Sequence, residues 1–139
     1  MRSLLATIAL LACLVAPLRA EPAAADQAAI QDVITRQLDA FRRDDAAAAF
    51  ALAAPSIQSM FGSAANFLSM VQTGYKPVHR PRSVDFGPLT DEGGEIVQRV
   101  ELTGPDGLPY TARYTMEREA DGSWRISGCQ LIESKRLGV

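Results

Sequence analysis

The hydrophobic repeat of this 139-residue chain changes once along its length. Apolar residues recur every three to four positions in the first half and every second position in the last third. The first spacing lines one face of a helix, the second one face of a strand. No helical repeat separates the strand-like runs, which excludes parallel βαβ units, because those need a crossover between strands. The expected fold is therefore α+β, with N-terminal helices packed on one face of a four-stranded antiparallel sheet.

Within the helical half, Ile30, Val33, Ile34, Leu38 and Phe41 form one stripe, and Asp26 stands where an N-cap belongs. Asp45 is placed to cap the alanine-rich run 46–54, which Pro55 stops. A further helical turn from Ser56 to Phe61 ends at Gly62, and Ser63 caps a helix carrying Phe67, Leu68, Met70 and Val71. Gly74 fits the left-handed position after a helix, and 76–82 reads as a proline-punctuated loop. In the strand half, Val84 and Phe86 alternate before a turn over 91–94, and Ile96, Gln98, Val100 and Leu102 share a face. The turn Gly104-Pro105-Asp106-Gly107 leads to Tyr110, Ala112, Tyr114 and Met116 on one face, and Asp121-Gly122 leads to Trp124 and Ile126. The phase then shifts at Gly128, as a bulge would require, and Trp124 is expected to be largely buried.

The amino terminus reads as an address rather than as fold. Arg2 precedes an uncharged stretch from Ser3 to Leu18, shorter than a bilayer-spanning helix needs but suited to a secretory signal. Residues 1–20 are expected to be a signal peptide cut after Ala20, with a cut after Ala25 as the alternative. Residues 21–25 then form a linker, 26–135 a single domain and 136–139 a tail. Export to the periplasm or beyond follows, with no stable membrane anchor after cleavage. Leu10-Leu11-Ala12-Cys13 looks like a lipidation box, but the apolar run continues past the cysteine. Losing Arg2 and Arg19 would leave 12 basic against 16 acidic side chains, net −4, which provides no field for nucleic acid. Cys129 would then lack a disulfide partner and is expected as a small buried apolar group.

A longer series of residues carries a resemblance. It runs through Gln37-Leu38-Asp39-Ala40-Phe41, Asp44-Asp45, Ala48-Ala49-Phe50, Pro55-Ser56-Ile57-Gln58 and Phe61-Gly62. It continues through Phe67-Leu68-Ser69-Met70-Val71, Gly74-Tyr75-Lys76-Pro77-Val78, Arg80-Pro81 and the closing Asp121-Gly122-Ser123-Trp124-Arg125-Ile126-Ser127-Gly128-Cys129. This series resembles an uncharacterised bacterial secreted family filed as domain of unknown function 4864. That family in turn looks like a compact member of the nuclear-transport-factor-2-like (ketosteroid-isomerase-like, cystatin-like) superfamily. The resemblance implies a strongly curved sheet wrapped around the helices as a cone. The superfamily holds isomerase-like and cyclase-like enzymes, binding domains and association domains, so the fold alone assigns no activity.

Three functions suit such a cone. The first is a non-enzymatic module that holds a small apolar or amphipathic ligand against Phe50, Phe67, Met70, Tyr75, Gln98, Tyr110, Tyr114 and Trp124. The second is a homodimerising interaction module, using an outward row of Val97, Thr111, Arg113 and Thr115. The third is an isomerase or dehydratase with Tyr110 or Tyr114 as proton donor. It needs a carboxylate inside the cone, whereas Asp85, Glu95, Glu101 and Glu117 fall on the polar phase. No catalytic residue is assigned, and no cofactor or metal is expected, since the single His79 has no companions at ligand spacing. Lys76, His79, Arg80 and Arg82 form the one local basic cluster, able to hold an anion or to offset acids such as Asp85 and Glu101. Asp44-Asp45 reads as a solvated cap at a helix junction.

Overall fold

A computed structural model describes residues 12–13 and 22–134. The expected signal segment, apart from Ala12 and Cys13, and the 136–139 tail lie outside the described residues. Among the described residues five helices precede four strands. The helices are α1 (Ala24–Arg42), α2 (Ala46–Ala51), α3 (Pro55–Phe61), α4 (Ala64–Gly74) and α5 (Lys76–His79). The strands are β1 (Ser83–Glu92), β2 (Glu95–Thr103), β3 (Pro109–Arg118) and β4 (Trp124–Glu133), antiparallel in the order β1-β2-β3-β4. The architecture is the expected α+β one, and each strand simply folds back on its predecessor.

The α1 stripe is as the spacing predicts: Ile30, Val33, Ile34, Leu38 and Phe41 are all buried. They share one core with Phe67 and Val71 of α4 and with Val100, Leu102, Ala112, Tyr114, Met116 and Ile126 of the sheet. Asp45 caps α2 by accepting from the Ala48 amide, and Ser63 caps α4 by accepting from the Asn66 amide.

Several local expectations are corrected. Helix α1 starts at Ala24, inside the expected linker, so Asp26 is no N-cap; its carboxylate meets the Arg118 guanidinium at 3.0 Å. The alanine run ends at Ala51, and Pro55 opens α3 at its first position, where a missing N–H costs nothing. The left-handed residue is Gly62 (φ 74°), whereas Gly74 is the last residue of α4. Residues 76–79, expected as loop, form the short helix α5. The β1–β2 turn is tighter than expected: Gly93 and Gly94 alone carry it, both at positive φ, with Asp91 and Glu92 still in β1.

Two bulges bend the sheet. In β4 the extra residue is Ser127, beside the Gly128 at which the phase shift was expected. A Cβ on Gly128 would come within 2.7 Å of Thr115 Oγ1, so the close strand approach requires glycine. In β1, Gly87 and Pro88 together face Arg99, a bulge that the Gly-Pro pair could have announced. Leu52–Ala54 docks beside the β4 bulge: Ile126 donates to Leu52 O at 3.0 Å, and Ala54 donates to Ile126 O at 2.8 Å. That contact ties the α2–α3 junction to the sheet and places α3 over the end of β4.

Candidate functional site

The space between α3, α4 and the β3–β4 pair is not filled. An open cavity of about 210 Å³ lies there. Helix α3 contributes Ile57, Met60 and Phe61, and α4 contributes Phe67, Met70 and Val71. Phe41, Tyr75 and Val78 close the ends, and the floor is Tyr114 with Ile126, Ser127, Gly128 and Cys129. Met60 stands 74% exposed. The wall is organised around Phe67, whose ring meets Phe61, Phe50 and Phe41 at centroid distances of 5.5, 5.6 and 5.8 Å.

The few polar groups of the lining sit on α1, at the α4–α5 junction and on the sheet. Gln37, buried in α1, donates its amide N–H to Ala49 O at 3.1 Å. The Tyr75 hydroxyl donates to Cys129 O at 3.2 Å, pinning the start of α5 to β4. The Ser127 hydroxyl donates to Thr115 Oγ1 at 3.1 Å. The Tyr114 hydroxyl is fully buried and has no hydrogen-bond partner of sound geometry. Burial pushes its ionisation well above the ordinary tyrosine range, with the neighbouring Cys129 thiol adding to the effect. Burial likewise pushes the Cys129 thiol up to about 12. Both groups are neutral at physiological pH, and among the described residues no charged side chain lines the cavity.

Of the residues singled out for the cone, Phe67, Met70, Tyr75 and Tyr114 converge on this cavity. Phe50 stands behind Phe67 and does not line it. Gln98 lies elsewhere: its amide N–H groups donate to Gly87 O at 2.9 Å and Arg99 O at 2.8 Å, bracing the β1 bulge. Tyr110 turns to the β2–β3 turn and donates to Asp106 at 2.6 Å, which lowers the Asp106 carboxyl and raises the phenol. Trp124 is intermediate in exposure and packs against the core from the start of β4, its indole N–H buried and the Arg118 guanidinium 5.1 Å above its ring. Ile57, Met60, Phe61 and Val78 were missed because they lie on short elements with no periodic signature. Gln37 was missed because a glutamine on the apolar stripe of α1 reads as solvent-facing.

The basic cluster is divided between two sites. Asp44, at φ 53°, holds His79 at 2.6 Å and Arg80 at 2.8 Å, and accepts from Gln72 at 3.1 Å. The His79 hydrogen bond is the main cause of a lowered Asp44 carboxyl. Asp44 is thus a clamp between the α1–α2 turn and α5 rather than a solvated cap, and it, not Asp85 or Glu101, offsets these charges. Arg82 anchors through its backbone to Thr103 O at 2.8 Å, and Lys76 borders a separate shallow groove beside Tyr110. On the outer face of the sheet Val97 is buried, which corrects its placement on an exposed row, and Arg113 is held by Glu92 at 2.9 Å and Glu95 at 3.0 Å. Asp85 and Glu101 are exposed, so neither reaches the interior. Among the described residues no cluster of His, Cys, Asp or Glu could hold a metal ion.

The family model described as domain of unknown function (DUF4864) matches residues 23–139. The chain belongs to this family. The match starts one residue before α1 and takes in every element that builds the cavity. Comparison with curated proteins and with solved structures returned no match.

Proposed function

We propose that this chain is an exported, non-enzymatic binding module that takes one small apolar or amphipathic molecule between α3, α4 and the β3–β4 floor. The observation that carries the reading is the cavity of about 210 Å³ with an apolar wall and open access. A designed void of about 150 Å³ with similar lining admits benzene. Drug-sized pockets run to roughly 300–1,000 Å³. A single ring or short acyl chain therefore fits, and a four-ring sterol does not. Among the described residues no carboxylate joins the lining, which speaks against the isomerase alternative, since that needs a base beside its donor.

The helix-first, meander-last order supports a compact nuclear-transport-factor-2-like cone, with α1 and α4 covering one sheet face. Export is proposed from the charge and apolar pattern of residues 1–20. The start of α1 at Ala24 favours a cut after Ala20, since a cut after Ala25 would remove its first turn. Expression in an exporting bacterial host and N-terminal sequencing should then give Glu21; a retained Met1 would refute export.

Thermal-shift titration of the purified chain with single-ring hydrocarbons and a steroid tests the cavity. Ligand at 100 times its Kd should stabilise by about 2.7 kcal/mol, several degrees in Tm. The single-ring compounds should raise Tm and the steroid should not. No shift with any single-ring compound would refute the reading.

A further inference from the structure

The cavity is two-sided. Everything that α3 and α4 place on it is apolar, whereas its polar groups come from α1, the α4–α5 junction and the sheet. We propose that its ligand is uncharged and carries one oxygen acceptor, which sits toward the sheet floor and takes the Tyr114 hydroxyl as donor. This rests on the cavity being a binding site, as above, and adds which class of molecule it selects.

The argument starts from hydrogen-bond accounting. Buried hydroxyls in folded chains are nearly always paired, and each exception calls for a physical account. The other polar lining groups each make one hydrogen bond: a Gln37 amide N–H to Ala49 O, the Tyr75 hydroxyl to Cys129 O and the Ser127 hydroxyl to Thr115. Tyr114 keeps its hydroxyl without a partner of sound geometry; it lies beside the Cys129 thiol, a weak acceptor, and burial of its side chain excludes bulk water as partner. A donor left over in an apolar site discriminates strongly, because a ligand with an acceptor satisfies it and a pure hydrocarbon leaves it orphaned.

The same accounting excludes an anion. A carboxylate entering this space would lose its water and find no cation in the lining; Arg80 and His79 are spent on Asp44. A neutral carbonyl or ether oxygen loses far less on entry and is repaid by one hydrogen bond. The apolar remainder of the ligand then packs against Phe67, Phe61 and Met70.

Isosteres of one ring test this directly. Acetophenone and α-methylstyrene are near-isosteres that exchange a carbonyl oxygen for a methylene; benzoate adds the charge. Calorimetric titration of the purified full chain should show acetophenone binding about tenfold tighter than α-methylstyrene, the worth of one net hydrogen bond. Benzoate at neutral pH should bind at least about 100-fold more weakly than acetophenone. In Tyr114→Phe the preference for the ketone should shrink below about twofold while α-methylstyrene affinity holds, which also reports that the variant is folded. Independently of any variant, the carbonyl stretch of bound acetophenone should shift to lower frequency than in an apolar solvent. Equal binding of ketone and hydrocarbon, an unshifted carbonyl, benzoate binding as well as the ketone, or an undiminished preference in Tyr114→Phe would overturn the inference and leave the binding site standing. Failure of both neutral compounds to bind would remove the site and the inference together.

Discussion

Phe67 is the residue on which the helical wall of the cavity depends, so Phe67→Ala is the most informative single perturbation. Its ring is 6% exposed and lies within 5.8 Å, centroid to centroid, of three other phenylalanine rings. Truncating a buried phenylalanine costs about 3–5 kcal/mol. Loss of tilted ring pairs pushes toward the upper end, at about 0.5–1.5 kcal/mol each. The existing cavity pulls the other way, since the ring face toward it has no packed partner to lose. The balance is about 4 kcal/mol, a large share of the roughly 5–15 kcal/mol that holds a domain folded. In urea, with a slope of about 2 kcal/mol/M for a domain of this size, the midpoint should fall by about 2 M. The single Trp124, stacked under Arg118 and packed against the core without lining the cavity, reports the transition by fluorescence. Phe67→Leu, which keeps most of the volume, should lose under about 2 kcal/mol. A midpoint that moves less than about 0.5 M in Phe67→Ala at unchanged slope would refute the packing argument.

Three further outcomes follow from the hydrogen-bond and ionisation pattern. Because His79, Gln72 and Arg80 hold the Asp44 carboxyl below its ordinary range, the clamp adds stability at neutral pH that is lost as pH falls through that lowered value. Asp44→Asn, whose side chain tolerates the positive φ, should be less stable than the wild type at pH 6–7, with the gap closing below about pH 4 in urea titrations; a gap independent of pH would refute the clamp. The Cys129 thiol, raised from an ordinary 9.0 to about 12, should stay unmodified by iodoacetamide at pH 8 in the native chain and react in urea, with peptide mapping separating it from Cys13. Its protonated form is favoured by folding, so stability should decline between pH 9 and about 12, and Cys129→Ala should remove that part of the decline; rapid native labelling would contradict the raised thiol. Gln98→Met should cost about 2 kcal/mol by orphaning the Gly87 and Arg99 carbonyls at the β1 bulge, and a loss below about 0.5 kcal/mol in thermal unfolding would show that the bulge holds itself.

Much of this architecture was legible from residue spacing, because spacing is a local property. The α1 stripe, the caps by Asp45 and Ser63, the four strands in meander order and the phase slip at Gly128 each depend on residues close together in the chain. The misreadings were of two kinds. Some were local competitions that propensity leaves unsettled, such as α5 beginning at Lys76 with Pro77 in its first turn, or Pro55 starting a helix rather than ending one. Others concerned side chains whose role depends on a partner far away in the chain. Asp44 became a clamp only because α5 returns to the α1–α2 turn, 35 residues later in the case of His79.

The sequence by itself determined which faces must be buried, since the period of apolar residues dictates helix or strand and the face that leaves water. It could not determine whether those faces meet without a gap. Phe67, Met70, Tyr75 and Tyr114 carry the same apolar signature as Phe50, Tyr110 and Trp124, yet only the first four border the open space. What separates them is the docking of Leu52–Ala54 on β4, which sets α3 at a distance that its own side chains do not fill. A void is a relation between elements, not a property of any residue, and so is the unpaired hydroxyl that it leaves on Tyr114.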